Sequence, residues 1–185
     1  MLSDFSRKKQ TGIFTSLDTD KNGFIEFPEF SAHARYVKKD RGWSDQDPQW
    51  LELLSAKKMA WQKMKAVINL DDDKVSLKQW LAIAEKTESE VRASGRPAEW
   101  MCYIFHALFK SMDMNHNGVI TLDEYSLHLK SIGRGDVDPS KAFNKADLNG
   151  DGRLTQDELD QLMLDWWTSD DPEAAGNCFF TGHAG

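Results

Sequence analysis

The sequence predicts an all-α chain of four helix–loop–helix units, set as two pairs in one compact body, with the second unit degenerate. Three observations predict it. A twelve-residue loop rich in Asp, Asn and Glu occurs three times in 185 residues. Apolar residues at helical spacing flank every copy. Ahead of the second copy lie two further helical patterns, around a loop that keeps the repeat's hydrophobic position and loses its oxygen-bearing ones.

The three loops run from Asp18 to Glu29, Asp113 to Glu124 and Asp147 to Glu158. Each fits D-x-[DN]-x-[DN]-G-x5-E, the EF-hand calcium loop. Ca2+ takes six to eight hard oxygen ligands at about 2.3–2.6 Å, which explains the spacing. Positions one, three and five supply side-chain oxygens: Asp18, Asp20 and Asn22; Asp113, Asn115 and Asn117; Asp147, Asn149 and Asp151. Gly23, Gly118 and Gly152 at position six permit the sharp turn. Position seven gives a backbone carbonyl, from Phe24, Val119 and Arg153. Position nine often acts through water, here from Glu26, Thr121 and Thr155. Glu29, Glu124 and Glu158 at position twelve grip the ion with both oxygens. One such match could be a surface turn. Three full matches, each with an aliphatic residue at position eight, make a set of calcium loops.

The elements follow in order. Phe5, Ile13, Phe14 and Leu17 lead into the first loop, and Phe27, Phe30, Ala34 and Val37 lead out of it. Asp47-Pro48 reads as an N-cap with Pro at the first helical position. Trp50, Leu51, Leu54, Trp61, Met64 and Ile68 then share one helical face, and Trp80, Leu81 and Ala84 mark the next helix. Aligning Val75 with the aliphatic position makes Ile68 to Gln79 the second loop. Ile68 and Leu70 would stand where ligands belong, and Gln79 replaces the bidentate carboxylate. Such a loop should not hold Ca2+ in the usual geometry; a shortened site of Asp71, Asp72 and Asp73 is the alternative. Val75 is expected to pair with Ile25, and Ile120 with Leu154, in short β-bridges.

Ile104, Phe105, Leu108, Phe109 and Met112 precede the third hand's loop, and Leu122, Tyr125, Leu129 and Ile132 follow it. Gly133 and Gly135 can end that helix, and Asp138-Pro139 can start the next. Phe143 and Ala146 lie before the last loop; Leu159, Leu162, Met163 and Trp166 lie after it. The expected division is a first pair over 1–95, a second pair over 96–168, and a tail over 169–185 that packs on the body. Phe179 and Phe180 would tuck in, an exposed tail being the alternative.

Composition excludes several classes. A net charge of −7 argues against nucleic acid. No stretch approaches the ~20 apolar residues of a membrane helix. The first residues carry no apolar signal segment, and Leu2 excludes N-myristoylation. Two cysteines, Cys102 and Cys178, suit a reducing compartment, though one bridge stays open. A cytoplasmic monomer is expected. The five histidines, at 33, 106, 116, 128 and 183, lack metal-ligand spacing, and the seven tryptophans read as core, a ligand cavity lined by them being the alternative. No catalytic motif is present, so the chain is not expected to be an enzyme.

Four hands, the second degenerate and preceded by a long helical stretch, resemble the sarcoplasmic calcium-binding proteins and calexcitin. Trp166-Trp167-Thr168-Ser169-Asp170-Asp171-Pro172, followed by Gly176-Asn177, is similar to the tail of that group. The resemblance covers nearly the whole chain. It implies two lobes packed face to face, and Ca2+ buffering with Mg2+ competing at some sites. Coelenterazine photoproteins and luciferin-binding proteins share the architecture. Photoproteins carry a His, and a Trp followed by Tyr, on the last helix and end in Pro. Here Leu162 to Thr168 contains no His, Trp167 takes the Tyr place, and the final residue is Gly185. These departures speak against light emission.

The leading expectation is therefore a Ca2+ or Ca2+/Mg2+ buffer with three sites. A sensor that opens on Ca2+ to dock a target protein is the first alternative. A Ca2+-regulated binder of an apolar small molecule such as a luciferin is the second. Loop charge ranks the sites. The third hand offers only Asp113 and Glu124 as charged ligands and should be the weakest.

Overall fold

Capping chemistry sets where the helices begin. In the computed structural model, which describes residues 1–131 and 138–181, the Ser3 hydroxyl accepts from Ser6 N and starts α1, Asp4–Leu17. A short strand β1, Phe24–Glu26, leads into α2, Phe27–Phe30, and α3, Ala32–Arg41. Asp47 caps α4, Pro48–Ala66, by accepting from Gln49 N, with Pro at the first turn as expected. Strand β2, Lys74–Ser76, precedes α5, Leu77–Ser94. The second half holds α6, Glu99–Met112, and α7, Leu122–Ser131. Asp138 accepts from Ser140 N and caps α8, Pro139–Ala146. The chain continues through α9, Gln156–Thr168, to α10, Ala175–Thr181. The expectations for Ile132, Gly133, Gly135 and His183 fall outside the described residues, as does the Phe180 side chain.

Two helical readings need correction. The pattern after the first loop reads as one helix through Phe27, Phe30, Ala34 and Val37, but it breaks at Ser31. The Ser31 hydroxyl donates back to the Phe27 carbonyl at 2.7 Å, and Arg35 Nη1 donates to that hydroxyl at 2.8 Å. This local bonding competes with the helical ladder. On α4, Leu51 is 47% exposed whereas Leu53 is buried. The buried stripe is Trp50, Leu53, Lys57, Ala60, Trp61 and Met64. A lysine in its middle hides the true period.

Pairing follows the two aliphatic loop positions. β1 and β2 are antiparallel with Ile25 opposite Val75, and Ile120 bridges Leu154 with both amides bonded at 2.8 Å. Glu26 stands opposite Lys74, and Lys74 Nζ lies 4.3 Å from the Phe24 ring centroid.

The halves share a core. α4 packs along α6, α1 against α5, and α5 against α9. The first cluster joins Phe14, Trp61 and Trp80 to Trp100, Met163, Trp166 and Trp167. Trp100 meets Trp167 edge to face, with centroids 6.0 Å apart. A second cluster unites Phe109, Tyr125, Phe143 and Leu162 with Phe179 of α10. Burying apolar faces between the two pairs gives about 25 cal/mol per Å2 of stabilisation. Lys9 anchors the tail from α1, donating to the Trp166 carbonyl and, at 3.0 Å, to Asn177 Oδ1.

Candidate metal centres

Each acidic loop turns through two left-handed residues. They are Lys21 and Gly23, His116 and Gly118, and Gly150 and Gly152, with φ between 57° and 85°. These are positions four and six. The resulting curl aims backbone N–H groups inward.

The inward amides meet the sequence-predicted residues in the same way three times. The position-one carboxylate accepts from the amides of positions five and six: Asp18 from Asn22 and Gly23, each at 3.0 Å. Asp113 accepts from Asn117 at 3.0 Å and Gly118 at 2.9 Å. Asp147 accepts from Asp151 at 3.1 Å and Gly152 at 2.7 Å. Position three also accepts from position five, through Asp20, Asn115 and Asn149 at 2.8–3.0 Å. Asn22, Asn117 and Asp151 accept from Phe24, Val119 and Arg153 N at 2.8–3.0 Å. Glu29, Glu124 and Glu158 span the loop. One oxygen accepts from position two, at Thr19, Met114 and Leu148, and the other from position nine, at Glu26, Thr121 and Thr155. These six distances fall between 2.8 and 3.1 Å.

The hands differ in exposure and charge. Asp113, Glu124 and Glu158 are buried, whereas Asp18 and Glu29 are half-buried and Asp20 is exposed. Among the described residues, the first loop is where three carboxylates gather. Ligand oxygens of Asp18, Asp20 and Glu29 lie within 4.8 Å of one another. Burial raises the Glu29 carboxyl, but hydrogen bonds from Glu26 N, Thr19 N, the Thr19 hydroxyl and Asp20 N outweigh it and hold it below the ordinary carboxylate range. Glu29 is thus an anion. A donor set of carboxylates, amide oxygens and carbonyls suits a hard divalent cation of the Ca2+ or Mg2+ kind.

The second loop follows another path. Its left-handed residue is Asn69, with φ 54°. Ser76 and Gln79 keep the repeat's capping box, with Gln79 Oε1 accepting from Ser76 N at 2.8 Å and from its hydroxyl at 2.7 Å. A lysine reaches into the loop. Lys65 Nζ donates to the Asp72 carbonyl at 2.7 Å and lies 3.6 Å from Asp73 Oδ1. The sequence reading passed over Lys65, whose signal was a basic residue in the last turn of α4. It also passed over the proximity of two histidines, His33 and His128, whose Nε2 atoms lie 3.4 Å apart. Burial pushes both below the ordinary histidine value, so they are neutral at pH 7. At position four of the third hand's loop, His116 meets Gln49 Nε2 at 2.9 Å.

Comparison with known proteins agrees with this geometry. The EF hand family description matches residues 10–32, 105–129 and 141–163. Sarcoplasmic calcium-binding proteins I, III and IV of Branchiostoma lanceolatum are 25% identical over 158 residues, covering 84% of each chain. A solved amphioxus sarcoplasmic calcium-binding protein superposes with a TM-score of 0.74 at 23% identity, covering 97% of both chains. Obelin of Obelia geniculata is 36% identical over 72 residues, 38% of this chain and 37% of its own.

Proposed function

The chain is an EF-hand protein related to the sarcoplasmic calcium-binding proteins and the coelenterazine photoproteins, and on that premise we propose that it is a three-site Ca2+ buffer or carrier. The observation that carries this reading is the repeated cradle. In three loops the position-one and position-twelve carboxylates accept from the loop's own amides, and in the first loop ligand oxygens of Asp18, Asp20 and Glu29 already lie within 4.8 Å of one another. An ion bound there takes oxygens from positions one, three, five, seven and twelve, with nine acting directly or through water. It also relieves the repulsion among Asp18, Asp20 and Glu29. Binding to the native state alone adds stability as RT ln(1 + [L]/Kd).

Buffering rather than sensing is favoured because the lobes' apolar faces are already covered. A sensor exposes a groove when it opens. Here one core spans both halves, and Phe179 stacks on Tyr125 with centroids 5.3 Å apart. Large exposed apolar residues are scattered over Tyr36, Leu51, Met114, Leu127 and Leu148. The same reading makes the second hand a packing partner with Lys65 in the cation's place. It also makes the protein a non-enzymatic cytoplasmic monomer without a nucleic-acid partner, and allows Mg2+ to compete.

Calorimetric titration with Ca2+, with and without excess Mg2+, tests this. The expected result is three ions, weakened by Mg2+, with no gain in binding of a neutral solvatochromic dye. A Ca2+-dependent gain of dye overturns the buffer and favours a sensor with a target protein. A count other than three overturns the site assignment.

A further inference from the structure

Helix α6 turns Trp100, Met101, Ala107, Phe109 and Met112 into the core. Cys102 and His106 lie on its outer side, the cysteine half-buried and the histidine exposed. They are four residues apart, about one helical turn, so their side chains are neighbours. That is the spacing at which two histidines of one helix chelate zinc. Spacing among histidines alone hides the pair, because the partner is a cysteine. The calcium loops use neither residue.

A third donor comes from α9. Asp160 Oδ1 stands 3.5 Å from His106 Nε2, long for a hydrogen bond. Two donors that each sit about 2.1 Å from one tetrahedral ion are about 3.4 Å apart. Gln156 Nε2, one turn earlier on α9, donates to the same carboxylate oxygen at 2.9 Å and orients it. Burial raises the Cys102 thiol above its ordinary value, and the charges of Asp160 and Glu99 raise it further. The acidic field that holds this proton also draws a cation. Cys102 Sγ is the donor that has still to close. Among the described residues, a trio of such ligand atoms within 4.8 Å of one another occurs in the first loop only. Closing takes a turn about the one side-chain torsion of cysteine.

We propose that Cys102, His106 and Asp160 form a site for a borderline-soft divalent ion such as Zn2+, separate from the calcium loops. Thiolate and imidazole suit Zn2+, whereas an all-oxygen set suits Ca2+ and Mg2+. One chain thus sorts two kinds of ion. Binding exchanges the Cys102 thiol proton for a metal–sulfur bond and releases that proton to solvent. Water completes the tetrahedron, since His106 stands open to it. The ion ties the helix that enters the third hand's loop to the helix that leaves the last one. None of this requires calcium in the loops.

Co2+ is the probe, because a thiolate ligand gives it a near-ultraviolet sulfur-to-metal charge-transfer band and oxygen ligands do not. The full chain, kept reduced by a phosphine, is titrated with Co2+ in excess Ca2+. One equivalent should raise the band, and Zn2+ should bleach it. Cys102→Ser should abolish the band, whereas Cys178→Ser should leave it. His106→Ala and Asp160→Asn should each weaken Co2+ about tenfold or more. As a second readout, Zn2+ should slow alkylation of Cys102 in the Cys178→Ser protein. No band at one equivalent overturns the site. So does a band that survives Cys102→Ser or ignores His106→Ala, and so does alkylation at an unchanged rate in Zn2+. Indifference to Asp160→Asn overturns the share of Asp160 alone.

Discussion

Ile25 faces Val75 across the two-stranded sheet, and both side chains have no exposure. The pair fastens a loop with the full oxygen set to one without it. On the reading proposed above, the second hand serves the first mechanically, by fixing the strand that follows Gly23 and precedes Glu29. Val75→Ala should cost about 2 kcal/mol, from two buried carbons and the void they leave. It should also weaken Ca2+ at the first hand while the other two sites keep their affinity. Denaturant unfolding in chelator, with site-resolved titration, reads both effects.

Glu29, Glu124 and Glu158 each bond the amides of positions two and nine. Changing any one to Gln should lower the ion count from three to two. The third hand should prove weakest, since Asp113 and Glu124 are the two carboxylates at its proposed ligand positions and both are buried. If Glu124→Gln abolished the tightest binding event, the charge ranking would be wrong.

Gln79 occupies the bidentate position of the second hand, but Lys65 stands on Asp72 and Asp73. Restoring a carboxylate there should not restore a site, because Ile68 and Leu70 offer no oxygen side chains. Gln79→Glu is expected to leave the calorimetric ion count unchanged. A fourth ion would show that the loop can be refilled despite its lysine.

Gly176 brings α10 against α9 at backbone distance. Its amide donates to Asp165 Oδ2 at 2.6 Å. A Cβ there would stand 2.6 Å from Trp166 N and would clash still harder with the Leu162 carbonyl oxygen. Gly176→Ala should push the tail off and destabilise by about 1–3 kcal/mol. Limited proteolysis should then cut the tail faster than the body, whereas an unchanged digestion pattern would mean that the tail tolerates the methyl group.

Burial pushes the Lys57 amine down to about 8, against roughly 10.4 in an unfolded chain. Between those values the unfolded state holds more protons, so stability rises with pH. Below about 8 both states are protonated and the burial penalty is fully present. Lys57→Met should therefore be more stable than the unmodified protein at pH 7, on the order of 3 kcal/mol. That advantage should fade as pH passes 10. Lys9, also pushed down to about 8 by burial, is common to both proteins and drops out of the difference. Unfolding curves at pH 7 and 10 decide, and a difference that does not change with pH would count against it.

What the sequence determined by itself is what short-range spacing determines. The loop formula proposes its ligands, because a calcium ion needs oxygens at fixed intervals along one turn, and the three loops do share one pattern of amide-to-carboxylate bonds. The aliphatic position eight predicted both bridges, Ile25–Val75 and Ile120–Leu154. Pro after Asp placed two helix starts, at Asp47 and Asp138. Hydrophobic periodicity failed where a buried stripe carried polar residues. α1 turns Ser6 and Gln10 inward beside Phe14, and α4 turns Lys57 inward. Tertiary structure alone decided those burials. Ser6 is buried because Glu88 accepts its hydroxyl proton from 82 residues away, at 2.7 Å. Gln10 and Lys57 are buried because helices distant in the chain converge on one aromatic cavity. Local sequence specifies such a side chain's direction on its own helix, but its environment is set by long-range packing, which no spacing rule records.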